Sequence, residues 1–218
     1  MSGLFAAENR EGGAFQIGSA VGYFKMFDQV IARLPHSVIE QAAEELLVAF
    51  EQNRTIFLFG NGGSAALASH FACDLGKGTI RSSEPQKRFR VLALTDNLPL
   101  LTAWANDSCY EDVFSQQLRN FVEPGDVVFA ISGSGNSANV LRALEVAHKA
   151  GALNIGLTGY GGGKMKNLCN LCIVIPSENM QIIEDFHLSV THAIFSVVRH
   201  RLNQSKRSEL VAGASSAV

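Results

Sequence analysis

The stretch Thr55–Gly78, TIFLFGNGGSAALASHFACDLGKG, indicates the fold class. It begins with a short apolar run, breaks into glycines and a serine, and continues in a helical pattern that carries His70 and Asp74. A buried strand that leads through a glycine-rich loop into a helix is typical of parallel α/β sheets. The loop could hold a dinucleotide pyrophosphate, hold a terminal phosphate, or form a tight turn without a ligand.

Four further apolar runs follow, and each fits a strand buried on both faces: RVLALT, VVFAIS, NIGLTG and CIVIP. Helical segments of roughly 10 or more residues separate the runs, and a final helix is expected from about Gln181 to Leu202. This alternation predicts an α/β fold, a three-layer sandwich around a sheet of about five parallel strands.

The segment before the first strand has helical apolar spacing, and Pro35 separates two helices. We predict flexible ends over 1–14 and 204–218, an N-terminal helical hairpin over 15–54, and one α/β domain over 55–203. The hairpin carries exposed aromatic residues such as Tyr23 and Phe24. That surface either packs on the chain's own sheet or joins subunits.

Composition and charge narrow the functional classes. Of the 218 residues, 47% are hydrophobic and 17% are charged, which is typical of a globular protein with a large core. The 18 basic and 20 acidic residues nearly balance, so neither nucleic acid nor an acidic membrane surface is an expected partner. The sequence shows neither a membrane-spanning apolar run nor a signal-peptide core, which predicts a cytoplasmic protein.

The spacing of Cys169 and Cys172 is that of a redox or metal motif. There is no second such pair, and the motif does not open a helix after a strand. We therefore expect ordinary buried thiols, since free cysteine behaves as a small hydrophobe in a reducing compartment.

A second strand–loop–helix unit begins at Val127, where VVFAIS leads into GSGNSANV. Both loops place glycine N–H groups and serine hydroxyls at a helix N-terminus, where unpaired donors and partial positive charge favour an anion. The second loop contains three hydroxyls, on Ser132, Ser134 and Ser137. In the first loop, Ser64 either contacts a ligand or caps the helix.

The dinucleotide interpretation fits the sequence less well than a phosphate monoester. GNGGSA satisfies G-x-G-x-x-[GA], but the region about 20 residues on is the charged loop GTIRSSEPQK rather than the end of a second strand. G-K-[ST] is also absent, which argues against a nucleoside-triphosphate loop. Two serine-containing loops without lysine suit a terminal phosphate better than a pyrophosphate.

Two predicted helices offer groups for proton transfer or metal binding. His70 and Asp74 are four residues apart and therefore share a helix face, as half of a metal site would. The last helix adds four candidates: Glu184, Asp185, His187 and His192. A single histidine is more often structural, but this set on helices beside two phosphate-type loops favours a functional site.

Three motifs, GNGGSA…SHFACDLGKG, ISGSGNSANV and LTGYGGGKM, resemble those of the sugar isomerase (SIS) domain family and, within it, the phosphoheptose isomerases. The resemblance spans about Leu34 to Leu202. It implies a five-stranded parallel sheet and a homotetramer with active sites between subunits, which favours the subunit-joining role for the hairpin. It also implies a zinc- or other metal-assisted conversion of sedoheptulose 7-phosphate to D-glycero-D-manno-heptose 7-phosphate.

The resemblance implies roles for individual residues. The implied metal ligands are His70, Asp74, Glu184 and His192, with Asp74 as the base and His192 as its acid partner. The implied substrate site consists of Asn61, Gly62, Gly63, Asp74, Asn106, Asp107, Ser132, Gly133, Ser134, Ser137 and Glu184, to which the loop pattern adds Ser64.

Three positions depart from the family's usual residues. Asp74 replaces a glutamate, which alters the reach of the base. Glu184 replaces a glutamine, and its charge should tighten binding of a divalent metal. Gly133 replaces the middle residue of a Ser-Thr-Ser motif, which removes one phosphate hydroxyl. Small displacements of such groups alter rates strongly, so these departures leave the identity of the substrate open.

Two functional classes remain. The first is the isomerase, and the alternative is a non-catalytic SIS-domain protein that binds a sugar phosphate or a partner protein. Because ligand-type chemistry is present at all four implied metal positions, the sequence favours the enzyme. A nicotinamide-dependent oxidoreductase is disfavoured by the missing acidic residue.

Overall fold

The structure is a computed structural model that describes residues 18–80 and 86–215, with side chains up to residue 204. The chain divides into two compact units between Arg33 and Leu34. The predicted flexible N-terminus, 1–14, lies outside the described residues.

The first unit contains helix α1 (Ala20–Ile31). Ser19 caps it, because its hydroxyl accepts a hydrogen bond from the Gly22 N–H at 3.1 Å. Tyr23, Phe24 and Phe27 form an aromatic cluster with ring centroids 5.7–5.8 Å apart. The two N-terminal helices are confirmed, whereas their arrangement as a hairpin stays a prediction.

The second unit is built on one five-stranded parallel sheet in the order β2-β1-β3-β4-β5. The strands are β1 (Thr55–Gly60), β2 (Arg90–Ala93), β3 (Val127–Ser132), β4 (Leu153–Thr158) and β5 (Leu171–Val174). All five apolar runs singled out in the sequence form these strands. In β1, Ile56, Phe57, Leu58 and Phe59 are each no more than 1% exposed, because helices cover both faces of the sheet.

Helices on the two faces complete the three-layer sandwich that the sequence predicts. Their bounds are α2 (His36–Glu51), α3 (Gly63–Cys73), α4 (Leu98–Asp107), α5 (Ser115–Phe121), α6 (Ala138–Lys149) and α7 (Met180–Ser215). On one face α2 and α3 pack against α7, and the Phe71 ring lies 5.3 Å from that of Phe129. On the other face, α5 and α6 bury Phe57 and Phe59 among their apolar residues.

The last helix is longer than the sequence predicts. It continues to Ser215, so helical backbone covers most of the segment expected to be a flexible tail, and 216–218 lie outside the described residues. Arg201 ties α7 to α2 through ion pairs with Glu40, at 3.2 Å, and Glu44. No helix in the described parts of the chain is both long and apolar enough to cross a bilayer.

The strand order places both glycine–serine loops at one crevice. The chain leaves β1 towards β2 on one side, while β3, β4 and β5 extend on the other. Ligands of open α/β sheets bind at such a switch point, beyond the carboxyl ends of the strands. Gly60 of β1 is paired with Ile131 of β3, so the loops that follow these strands begin side by side.

Candidate active site

Three of the predicted metal ligands converge beside this crevice. His70 lies in the last turn of α3, Asp74 directly follows that helix, and His192 comes from the middle of α7. His70 Nε2 is 3.2 Å from His192 Nε2 and 3.5 Å from Asp74 Oδ2, and His192 Nε2 is 3.8 Å from Asp74 Oδ2. Three atoms that carry lone pairs therefore face one point.

This cluster fits a divalent metal. A tetrahedral zinc site with metal–ligand distances of about 2.0–2.2 Å requires ligand atoms roughly 3.3–3.6 Å apart, close to the three observed separations. Asp74 Oδ2 is buried and forms no regular hydrogen bond within the described residues, so it lacks the partner that a cation would provide. Two imidazoles with one carboxylate are also a donor set that zinc commonly accepts.

A π-helical turn, Asp74–Gly78, helps to aim the carboxylate. Such turns occur often at functional sites, because the extra residue redirects the side chains around it. Gly78 allows the turn to approach α7, since a Cβ at this position would lie 2.8 Å from the Phe195 ring. The turn therefore packs closely on the helix that supplies His192.

Glu184, the fourth predicted ligand, is not part of this cluster. Its carboxylate lies at the N-terminus of α3, where a Cβ on Gly63 would be 3.2 Å from Glu184 Oε1. The partial positive charge of the helix N-terminus favours a carboxylate there. A cavity of about 270 Å³ connects Glu184 with Ser64, His70 and Asp185, so the carboxylate and one cluster histidine face a common space.

His187 also lines this cavity and is only 1% exposed. Burial lowers the pKa of its imidazole to about 4, and the backbone of Thr158 partly opposes that shift. The side chain is thus neutral near pH 7. The sequence singles out His187 as a candidate without assigning it a role, and its burial in the folded chain shows that it forms part of the cavity wall.

The second loop presents its hydroxyls at the N-terminus of α6. Ser137 is the N-cap residue, yet within the described residues its side chain makes no capping bond to the helix. Instead, Ser137 Oγ lies 3.2 Å from Ser132 Oγ, and Ser134 Oγ accepts a bond from the Asn136 N–H at 3.2 Å. The Val140 N–H donates to Asn139 Oδ1 at 3.0 Å, so the N–H groups of Ala138 and Asn139 and the paired hydroxyls are what this helix N-terminus offers to an anion.

Comparison with known proteins places this architecture in a family. A family model of the SIS domain matches residues 22–159. A phosphoheptose isomerase from Rhodospirillum rubrum is 41% identical over 164 residues, which are 75% of this chain and 86% of the relative. The chain belongs to the SIS domain family.

Solved structures agree with this assignment. A phosphoheptose isomerase from Francisella tularensis superposes on the SIS domain with a TM-score of 0.75 at 28% identity, covering 83% of this chain and 96% of that one. One from Neisseria gonorrhoeae gives a TM-score of 0.74 at 32% identity, covering 82% and 93%. The predicted family, the α/β fold and the prediction of an enzyme of the phosphosugar isomerase class are confirmed.

Within the SIS domain, the departure at Gly133 has a packing reason. A Cβ at this position would lie 2.5 Å from the sulfur of Met180, the first residue of α7. The thioether thus occupies the space that a threonine side chain would need. No sequence pattern indicates this contact, because Met180 is remote from Gly133 in the chain and belongs to no motif.

A third glycine loop, which contains Gly163, packs against the loop that carries Ser132, Ser134 and Ser137, called the serine loop from here on. Gly163 adopts a φ of +54°, and a Cβ there would lie 2.6 Å from the Ser134 carbonyl oxygen. The Met165 N–H donates to the Gly135 carbonyl at 2.9 Å, and the Lys164 N–H donates to Asn136 Oδ1 at 3.1 Å. The LTGYGGGKM motif therefore fixes the shape of the anion loop.

The remaining predicted substrate residues fall into two groups. Gly62 precedes α3 with a φ of +56°, a left-handed conformation that favours glycine, and Ser64 is buried in the first turn. Asn106 and Asp107 are exposed at the end of α4, where the Asn106 amide donates to Asp107 Oδ1 at 2.7 Å. Among the described contacts, none joins this second group to the cluster, so its role stays a prediction.

Proposed function

We propose that the protein converts sedoheptulose 7-phosphate to the aldose D-glycero-D-manno-heptose 7-phosphate with the assistance of a divalent metal. The observation that carries the proposal is the convergence of His70, Asp74 and His192, in a chain that also presents anion donors at the N-terminus of α6. Relatives named phosphoheptose isomerase at about 40% identity support the choice of substrate.

The serine loop would hold the phosphate. Ser132, Ser134 and Ser137 offer hydroxyl donors, and the N-terminus of α6 adds backbone N–H groups and partial positive charge. None of these groups is a strong acid or base. Their task is to fix one end of an open-chain sugar, so that its other end reaches the cluster.

Proton transfer would take place at the cluster. Aldose–ketose isomerisation moves a proton between adjacent carbons through an enediol, so it requires a base and an acid. Asp74 would take the proton on Oδ1 while Oδ2 remains in the cluster, and His192 would exchange a second proton with the neighbouring oxygen through Nδ1.

His70, Asp74 and His192 would hold zinc or a similar divalent metal, with Glu184 as a fourth ligand after a change of its side-chain position. When bound, the metal supplies polarisation of the substrate carbonyl. Glu184 also adds negative charge to the site, which favours a divalent cation. A homotetramer and a cytoplasmic location remain further predictions.

The test is NMR of the purified protein with sedoheptulose 7-phosphate in D₂O, with and without a chelator. We expect an aldose anomeric signal that disappears on chelation and returns when zinc is added. Binding shifts without aldose formation or proton exchange in the zinc-loaded protein would overturn the proposal. That result would instead support a different sugar phosphate or a non-catalytic SIS-domain protein.

A further inference from the structure

The two anion loops are joined by a pair of asparagine side chains. Asn61 directly follows β1, and Asn139 lies in the first turn of α6, two residues after Ser137. Asn61 Nδ2 donates to Asn139 Oδ1 at 2.9 Å, and Asn139 Nδ2 donates to Asn61 Oδ1 at 2.8 Å. Asn139 is 2% exposed and Asn61 is half-buried, so this reciprocal pair is partly shielded from water.

Tyr110 extends this pair to a third segment. Its hydroxyl donates to Asn61 Oδ1 at 3.0 Å, although the residue as a whole is 58% exposed. Tyr110 begins the 3₁₀ turn Tyr110–Asp112, which follows the segment that carries Asn106 and Asp107.

The same turn is anchored separately to α6. Asp112 Oδ1 accepts a hydrogen bond from Arg142 Nη1 at 2.9 Å, and its other oxygen accepts from Ser108 Oγ at 2.8 Å. These bonds hold the turn that carries Tyr110 in place against α6. The hydroxyl of Tyr110 in turn restrains the position of the Asn61 side chain.

These bonds leave little of the Asn61 side chain for a ligand. Its carbonyl oxygen accepts two bonds, which uses both lone pairs, and its amide nitrogen retains a single free N–H. If Asn61 contacts the substrate as predicted, it must do so through this one remaining side-chain N–H or through its backbone. Its side chain acts mainly as a link between β1 and α6.

We infer that Tyr110, Asn61 and Asn139 form a brace. This brace sets the distance between the serine loop (residues 132–137) and the cluster of His70, Asp74 and His192. This inference rests on the proposed function and adds Tyr110 and Asn139 to it as positioning residues. A substrate held at its phosphate must present its reacting carbons to Asp74. Asn61 lies just before α3 and Asp74 directly after it, so the position of α3 sets the position of Asp74. A looser connection between α3 and α6 would therefore slow turnover without weakening the phosphate grip.

Tyr110→Phe is the sharpest test, because it removes one hydroxyl from an exposed residue and leaves the fold unchanged. We expect kcat for sedoheptulose 7-phosphate to fall about threefold to tenfold, the effect of one lost hydrogen bond, while the dissociation constant for inorganic phosphate stays within about twofold. Asn139→Ala should lower kcat further. Thr102→Val, which removes an exposed hydroxyl that donates to the Leu98 carbonyl of its own helix, is the control and should leave kcat unchanged.

A double-substitution cycle separates a brace from independent effects. In an Asn61→Ala background the hydroxyl of Tyr110 has lost its acceptor, so Tyr110→Phe should cause no further loss of kcat. An equal loss in the wild-type and Asn61→Ala backgrounds would overturn the inference. So would a fall in phosphate affinity that parallels the fall in kcat.

Amide hydrogen exchange distinguishes failure of the brace from failure of the proposed function. We expect Tyr110→Phe and Asn139→Ala to speed exchange at the first turns of α3 and α6. If the wild-type protein forms no aldose but exchange still responds, the proposed function fails and the brace stands. If the wild-type protein is active and exchange is unchanged in both variants, the brace fails and the proposed function stands.

Discussion

The cluster of His70, Asp74 and His192 and the serine loop are assembled differently. The serine loop is local, since Ser132 and Ser137 are five residues apart and backbone bonds to the next glycine loop fix their shape. The cluster joins His70 on α3 to His192 on α7, 122 residues later. Under the proposed function, substrate binding would therefore depend on loop chemistry, whereas catalysis would depend on how α3 and α7 pack. Substitutions should therefore separate the two.

The largest effect is expected from Asp74→Asn. It keeps the size of the side chain and removes the base, so kcat should fall by about 100- to 10,000-fold. The dissociation constant for inorganic phosphate should stay unchanged, because the serine loop is untouched. Steady-state kinetics with sedoheptulose 7-phosphate and phosphate titration measure the two quantities.

Asp74→Glu is the matched control for that variant. It retains the carboxylate and adds the methylene that the family usually carries, so we expect it to keep most of the activity. If Asp74→Asn turns over at the wild-type rate, the cluster is not the site of proton transfer.

A second effect concerns the wall of the cavity, where His187 is buried. Its pKa is about 4 in the folded chain, against about 6.5 when unfolded, so the unfolded state binds more protons as the pH falls through this range. Stability is therefore full above about pH 6.5 and is lost towards pH 4.

His187→Asn should remove that loss. Between pH 7.5 and pH 5 the wild-type protein should lose about 2 kcal/mol more unfolding free energy than the variant, as measured by urea denaturation. Equal losses in both proteins would show that the imidazole is not buried as a neutral group. The pH 7.5 value serves as the internal reference for any packing effect.

Gly133→Ala acts where the serine loop meets the first turn of α7. The new Cβ would approach the sulfur of Met180, and we expect a destabilisation of about 1–2 kcal/mol, limited by the flexibility of the thioether. Adding Met180→Ala should restore part of that stability. If the double variant is no more stable than Gly133→Ala, Met180 is not the reason for glycine at this position.

The smallest effect is expected from Ser134→Ala. Loss of one hydroxyl from the anion loop should weaken substrate binding by about 1 kcal/mol, the contribution of one hydrogen bond, with kcat nearly unchanged. Isothermal titration with phosphate and the Michaelis constant both report it. Unchanged affinity would remove Ser134 from the phosphate site.

Much of the fold could be predicted from local sequence. The apolar runs locate the five strands within a few residues, but burial on both faces holds only for β1, β3 and β4. The edge strands β2 and β5 are partly exposed, and Leu92 of β2 is 42% exposed. The end of α7 could not be predicted, because the residues after Leu202 are small and polar and lack a periodic apolar pattern. The π-helical turn at Asp74 has no sequence signal either, since it follows from the close approach of Gly78 to Phe195.

The site was predictable where its groups are near in sequence or carry a family motif. His70 and Asp74 share a helix face, and the hydroxyls of the serine loop lie together in one motif. The link between Asn61 and Asn139 was not predictable, because it depends on β1 and β3 being neighbours in the sheet. The available signal for Asn139 is that it is a polar residue in SANV, the segment directly before the helical pattern LRAL.

The most direct test follows deuterium uptake at the carbon beside the substrate carbonyl. The wild-type protein, Asp74→Asn and Ser134→Ala would each be incubated with saturating sedoheptulose 7-phosphate in D₂O and analysed by NMR. We predict uptake by the wild-type protein and by Ser134→Ala, and none above background by Asp74→Asn. Uptake by Asp74→Asn at the wild-type rate would contradict the assignment of proton transfer to the cluster formed by α3 and α7.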